Sequence, residues 1–128
     1  HALDVDGKQV TAANIILATG ASPALLPGMT VDGKRIVTYR QAIVQDDLPE
    51  SIVIVGAGPI GMEFAYVYNS YGVKVTVVEM LPHILPNEEP EIAQVVAKDF
   101  HKQGIRLLPG TRTEKIAVTD NGVTVRVK

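Results

Sequence analysis

Three glycines and one glutamate carry the chemistry most legible in this chain. In the stretch IVIVGAGPIGMEFAYVYNSYGVKVTVVEML, residues 52–81, Gly56, Gly58 and Gly61 stand between two apolar runs, and Glu79 follows Gly61 by 18 positions. A glycine at 56 permits a tight strand-to-helix turn. One at 58 lets the backbone approach a diphosphate with no Cβ in the way, and one at 61 lets the helix lie close against the strand. The amides at the start of that helix have no internal partner and point at an anion, which the helix dipole also favours. Pro59 suits the first helical turn, where its missing N–H would have had no partner. A carboxylate at the end of the next strand can accept hydrogen bonds from both hydroxyls of a ribose.

The pattern is therefore that of a dinucleotide-binding βαβ unit, and Glu79 selects between the two nicotinamide dinucleotides. A 2′-phosphate about 4 Å from a carboxylate costs roughly 4 kcal/mol at an effective dielectric near 20. Met80, Leu81 and Pro82 supply no compensating base, and His83 is the only candidate. The expected cofactor is NAD(H), held by Gly56, Gly58, Pro59, Ile60, Gly61, Glu79 and Met80. No catalytic residue and no metal site is expected within the chain. His1, His83 and His101 are isolated, and Glu88, Glu89 and Glu91 read as the acidic start of a helix. Tyr66, Tyr68 and Tyr71 read as packing or interface residues.

Composition agrees with that reading and removes rivals. The chain has 128 residues, 46% of them hydrophobic, few aromatics and a net charge of −2 with acids and bases interspersed. This suits an α/β layer protein with one core, and no basic cluster suggests nucleic acid as a partner. The absence of cysteine excludes disulfides, thiolate metal sites and cysteine catalysis by these residues. Apolar runs fall far short of the ~20 residues needed to span a bilayer, so a cytoplasmic protein with no membrane partner is expected.

The elements that must position the site follow from periodicity. Residues 2–10 alternate around Asp6-Gly7 and read as a hairpin. IILAT, 15–19, reads as a strand buried in a parallel sheet, followed by a Pro- and Gly-rich crossing segment over 21–34. A short helix is expected over 38–47, starting at Thr38 or Tyr39. SIVIVG, 51–56, is a second buried strand. Helix period then runs from Ile60 to Tyr71, with Ile60, Phe64, Val67 and Tyr71 on one face, and Gly72 closes it. A strand over 74–79, a helix from about Pro90 to Gln103 capped by Asn87 or Glu89, and a strand over 105–108 complete the alternation. The tail, 113–127, is a hairpin around Asp120-Asn121-Gly122. The fold class is α/β, a Rossmann-like parallel sheet with flanking helices and an antiparallel hairpin.

IILATGASP, LPESIVIVGAGPIGMEFA, VTVVEMLPHILPNEEPEI and KQGIRLLPGTRTEKI, in that order, resemble the flavoprotein pyridine nucleotide-disulfide oxidoreductases, with the dihydrolipoamide dehydrogenase branch nearest. The resemblance covers nearly the whole chain but only the middle of such an enzyme. It implies that Thr19 and Gly20 close an FAD-binding domain near its exit, so that residues 1–28 are tail strands of that domain and 29–128 an NAD-binding domain incomplete at its end. It also implies that Glu63 pairs with a lysine beside the flavin and lines the nicotinamide pocket. Pro59 departs from the bulky residue often found there.

FAD and a redox cysteine pair belong, on this resemblance, to the rest of a larger homodimeric enzyme. The chain alone is expected to be monomeric and not to turn over. Residues 15–19 are expected to dock beside the central strands, since an open apolar edge invites pairing. The alternatives are a sibling flavoenzyme of the NADH oxidase, mercuric reductase or CoA-disulfide reductase type, and a free-standing NAD(H)-sensing module.

Overall fold

A computed structural model describes all 128 residues. Its centre is a three-stranded parallel sheet in the order β3-β4-β5, where β3 is Ser51–Val55, β4 Lys74–Val78 and β5 Arg106–Leu108. Ser51 pairs with Lys74 and Val55 with Val78, and Thr76 pairs with Arg106. Helices α2, Pro59–Ser70, and α3, Pro90–Lys102, make the crossovers. The α/β class expected from the sequence is the class observed.

Both helices end in the same way, and this sets the start of the strand that follows. Gly72 and Gly104 take φ of 83° and 88°, a conformation that favours glycine. The Gly72 and Val73 amides donate to the Asn69 and Tyr68 carbonyls, and those of Gly104 and Ile105 to His101 and Phe100. These are paired Schellman motifs, and in each the flanking apolar residues, Val73 and Tyr68 or Ile105 and Phe100, belong to the same buried core. Each glycine thus turns the chain straight into a core residue and then a strand.

The core joins Met62, Ala65 and Tyr68 of α2 to Val75 and Val77 of β4, with Ala93 and Phe100 of α3 and Ile105 and Leu107 closing it. This corrects the face expected for α2. Ile60, Val67 and Tyr71 are exposed and Phe64 only half-buried, whereas Met62, Ala65 and Tyr68 face the sheet. The cause is Gly61, which must meet the turn before the helix and therefore brings its own side of α2 inward. The apolar residues on the opposite side look stronger on a helical wheel but lose to that constraint.

Every buried residue lies between Ala57 and Leu107. Ahead of them, β1, Ala2–Val5, and β2, Lys8–Thr11, form the expected hairpin, with Asp6 and Gly7 at φ 52° and 79° as a two-residue turn of this hand requires. Residues 15–19 form no strand, which overturns the expectation that they complete the sheet. Ile16 is 92% exposed and Leu17 76%. The free side of β3 explains why: Ile52 and Ile54 pack on the core, but Val53 is exposed. A parallel strand is stable when both its faces are covered, and a strand added here would gain only one.

Helix α1 is also shorter than expected, Tyr39–Ala42, started by a capping box between Thr38 and Gln41. The segment is tied to the core by the Tyr68 hydroxyl, which donates to Gln45 Oε1 at 2.8 Å. Burial raises the Tyr68 phenol above its ordinary pKa, so the hydroxyl stays a donor.

The tail hairpin pairs β6, Thr113–Thr119, with β7, Gly122–Val127. It is clasped by Arg35, whose guanidinium donates to the Thr119, Asp120 and Gly122 carbonyls. Arg35 is presented by a turn in which the Asp32 carboxylate accepts from the amides of Lys34, Arg35 and Ile36. No helix is long and apolar enough to cross a membrane.

Candidate functional site

The three glycines of the turn between β3 and α2 are there for three different reasons. Gly56 sits at φ 103°, where a side chain is strained. A Cβ on Gly61 would lie 2.1 Å from the Gly56 carbonyl oxygen and 3.4 Å from the Ile54 side chain, so helix and turn could not approach as they do. Gly58 has neither constraint. Its φ and ψ are −70° and 178°, open to any residue, and a Cβ there would meet nothing within 4 Å.

The amides around Gly58 are equally distinctive. Helix α2 starts without a side-chain cap, and Met62 is the first residue whose N–H closes a helical bond, to the Gly58 carbonyl at 3.0 Å. The N–H groups of Gly58, Ile60 and Gly61 donate to no acceptor in the chain, and Pro59 has none to offer. Three unpaired donors at the positive end of a twelve-residue helix form a cradle for an anion.

Glu79 follows β4 and is 8% exposed, the one charged residue in the buried set. Its Oε2 accepts from the Ala57 amide at 2.7 Å and its Oε1 from the Leu81 amide at 2.8 Å. A carboxylate has about four lone-pair sites, so two remain for further donors. Its main chain continues the sheet, with its N–H bonded to Leu108 and its C=O accepting from Thr111. The structure thus brings Gly56, Gly58, Pro59, Ile60, Gly61 and Glu79 to one end of the sheet, with exposed Met80 following Glu79.

Glu63 lies exposed one helical turn on from Pro59. Together they line, with Met62, Tyr66, Leu85 and Phe100, an open pocket of about 330 Å³. Thr19 and Gly20 are not brought to the site: both lie in the exposed irregular segment and no hydrogen bond joins them to the turn.

Two contributors escaped the sequence reading. Ala57 is fully buried and its peptide is gripped on both sides, its N–H by Glu79 and its carbonyl by the Leu85 amide at 2.7 Å. Leu85 takes φ 48°, uncommon for a residue with a bulky side chain, in what reads from sequence as an irregular loop. Main-chain bonds of this kind leave no mark in residue type. The one available signal was the apolar Ile84-Leu85 pair inside an otherwise polar, proline-rich loop.

An open parallel sheet with an uncapped, glycine-lined helix start at the carboxyl end of its first strand, and an acid ending the second, defines a Rossmann-like α/β protein. The family model described as pyridine nucleotide-disulphide oxidoreductase matches residues 1–128, and the chain belongs to that family. It is 49% identical over 119 residues to a dihydrolipoyl dehydrogenase of Mycobacterium leprae, covering 93% of this chain and 25% of that protein. It is 43% identical over 120 residues to one of Chlorobaculum parvum, with 94% and 26% covered. Among solved structures, LpdA from Mycobacterium tuberculosis superposes with a TM-score of 0.77 at 41% identity, over 85% of this chain and 24% of that one. The chain spans about a quarter of the length of these relatives.

Proposed function

We propose that this chain is the NAD(H)-binding portion of a dihydrolipoamide dehydrogenase-like, FAD-dependent oxidoreductase. In the parent enzyme, electrons pass from dihydrolipoamide through a disulfide and flavin to NAD. The observation that carries the reading is Gly58, a glycine that neither backbone strain nor protein packing requires, at the centre of three unpaired amides. That leaves the backbone there open to close approach from solvent, and an anion fits donors aimed this way.

The residues present fit the dinucleotide. Gly58, Ile60 and Gly61 would donate to its diphosphate, and the two free lone pairs of Glu79 would accept from the adenine-ribose hydroxyls. Pro59 and Met80 flank these contacts, and Glu63 stands one turn along α2, beside the open pocket. When bound, the nicotinamide supplies the hydride acceptor. This chain orients it and contributes no thiol, acid or base of its own to the transfer.

FAD, the redox cysteines and the homodimer contacts belong in this reading to the rest of a cytoplasmic parent enzyme. Residues 1–28 then come from its FAD domain and 29–128 from its NAD domain. Thr19 and Gly20 would take up their flavin-side position only in that context, which agrees with their exposure here.

Calorimetric titration with NADH and NADPH tests the proposal. NADH is expected to bind at least about tenfold more tightly, because the buried Glu79 carboxylate repels a 2′-phosphate. Equal affinities would overturn the assignment of Glu79. The chain alone is expected to show no dihydrolipoamide oxidation.

A further inference from the structure

The carboxylate of Glu79 is spent on the protein before any ligand arrives. Ala57 is fully buried, so its N–H has no water to bond if Glu79 withdraws. Ala57 lies between Gly56, at φ 103°, and Gly58, and its two peptide planes decide where the unpaired amides of Gly58, Ile60 and Gly61 aim. Glu79 Oε2 holds one plane and Leu85 N–H the other, while Glu79 Oε1 fixes Leu81 at the start of the loop that carries Leu85.

We infer that Glu79 is a positioning residue for the anion-binding turn, acting through the Ala57 amide, in addition to any contact it makes with a ribose. This rests on the nucleotide-binding reading for its functional consequence, though not for its geometry. The two bonds need an acceptor oxygen on each arm of the side chain. Glutamine has a single acceptor oxygen, and its NH2 would face one of the two N–H groups. Aspartate is one methylene too short to reach both. Substitution at 79 in this chain should therefore weaken recognition of the diphosphate itself and not only of the sugar.

The test compares ADP with 2′,3′-dideoxy-ADP, which keeps the diphosphate and lacks both hydroxyls, on the full chain and its E79Q variant. Amide hydrogen exchange at Ala57 and Leu81 is followed alongside, and the exchange of Val77 serves as the check that the sheet is intact. E79Q is expected to lower affinity for dideoxy-ADP about tenfold, the equivalent of one orphaned buried N–H, and to speed exchange at Ala57. If affinity for ADP falls while that for dideoxy-ADP and the protection of Ala57 are unchanged, Glu79 only reads hydroxyls and the inference fails.

If the unaltered chain binds neither nucleotide, the nucleotide-binding reading fails. The exchange of Ala57 in E79Q then decides the positioning role alone, faster exchange upholding it and unchanged exchange overturning it. Should E79Q lose protection at Val77 as well, E79D replaces it in the same comparison, and is expected to lose protection at Ala57 while keeping the charge.

Discussion

Residues 15–19, IILAT, and 51–55, SIVIV, are nearly the same signal: five residues rich in isoleucine or valine, each followed by a glycine at positive φ, 81° at Gly20 and 103° at Gly56. One is the first strand of the sheet and the other is exposed irregular chain. The difference lies in what comes after. Gly56 leads into α2, a Schellman turn at Gly72 and a strand that returns in register beside the first. Gly20 leads into a segment broken by Pro23, Pro27, Gly28 and Gly33, with no returning strand. An apolar run supplies a face to bury, and the crossover supplies somewhere to bury it.

The same contrast can be sharpened by equivalent changes in the two regions. The largest effect is expected at the glycines. Gly61→Ala places a methyl 2.1 Å from the Gly56 carbonyl oxygen and should cost about 3 kcal/mol, read as a lowered urea midpoint, by displacing α2 from the sheet. Gly20→Ala meets nothing within 4 Å, but at φ 81° an alanine is strained, so it should cost about 1 kcal/mol in the same measurement, well short of Gly61→Ala because no core depends on the segment.

Next come the isoleucines. Ile54→Ala removes packing against the core and should cost about 2 kcal/mol, whereas Ile16→Ala, at a residue 92% exposed, should be neutral in the same unfolding measurement. A substantial loss at Ile16 would mean that 15–19 is paired in solution.

The smallest effect concerns the Arg35 clasp, which ties the region before β3 to the tail hairpin. The amides of Ile36, Lys34 and Arg35 hold the Asp32 carboxyl below its ordinary pKa. A depressed folded value means that the contribution of this turn is present above the ordinary carboxylate range and is lost as pH falls through the depressed value, below about 4. The Arg35 and Ile36 amide resonances should move with that titration, followed by those at the Thr119–Gly122 turn that Arg35 clasps. The Val77 resonance should stay still.

Most of the architecture was legible in the sequence because its signals are local. Glycines end both helices, Asp6-Gly7 and Asp120-Gly122 turn both hairpins, and β-branched runs mark β3 and β4. The glycine spacing and Glu79 placed the candidate site for the same reason. Three things were not legible, and each depends on a contact across the chain. The inward face of α2 is chosen by the approach of Gly61 to Gly56. The state of 15–19 depends on a partner strand, and the grip on Ala57 comes from Glu79 and from Leu85 in its left-handed conformation. Residue type does not report any of them.

If the bared amides at 58–61 receive a diphosphate, titration with NADH should shift their resonances ahead of all others. Saturable changes are expected at Gly58, Ile60 and Gly61, with Ala57 and Leu81 following through Glu79. Saturable changes centred elsewhere, or none at these amides at millimolar NADH, would contradict diphosphate binding there.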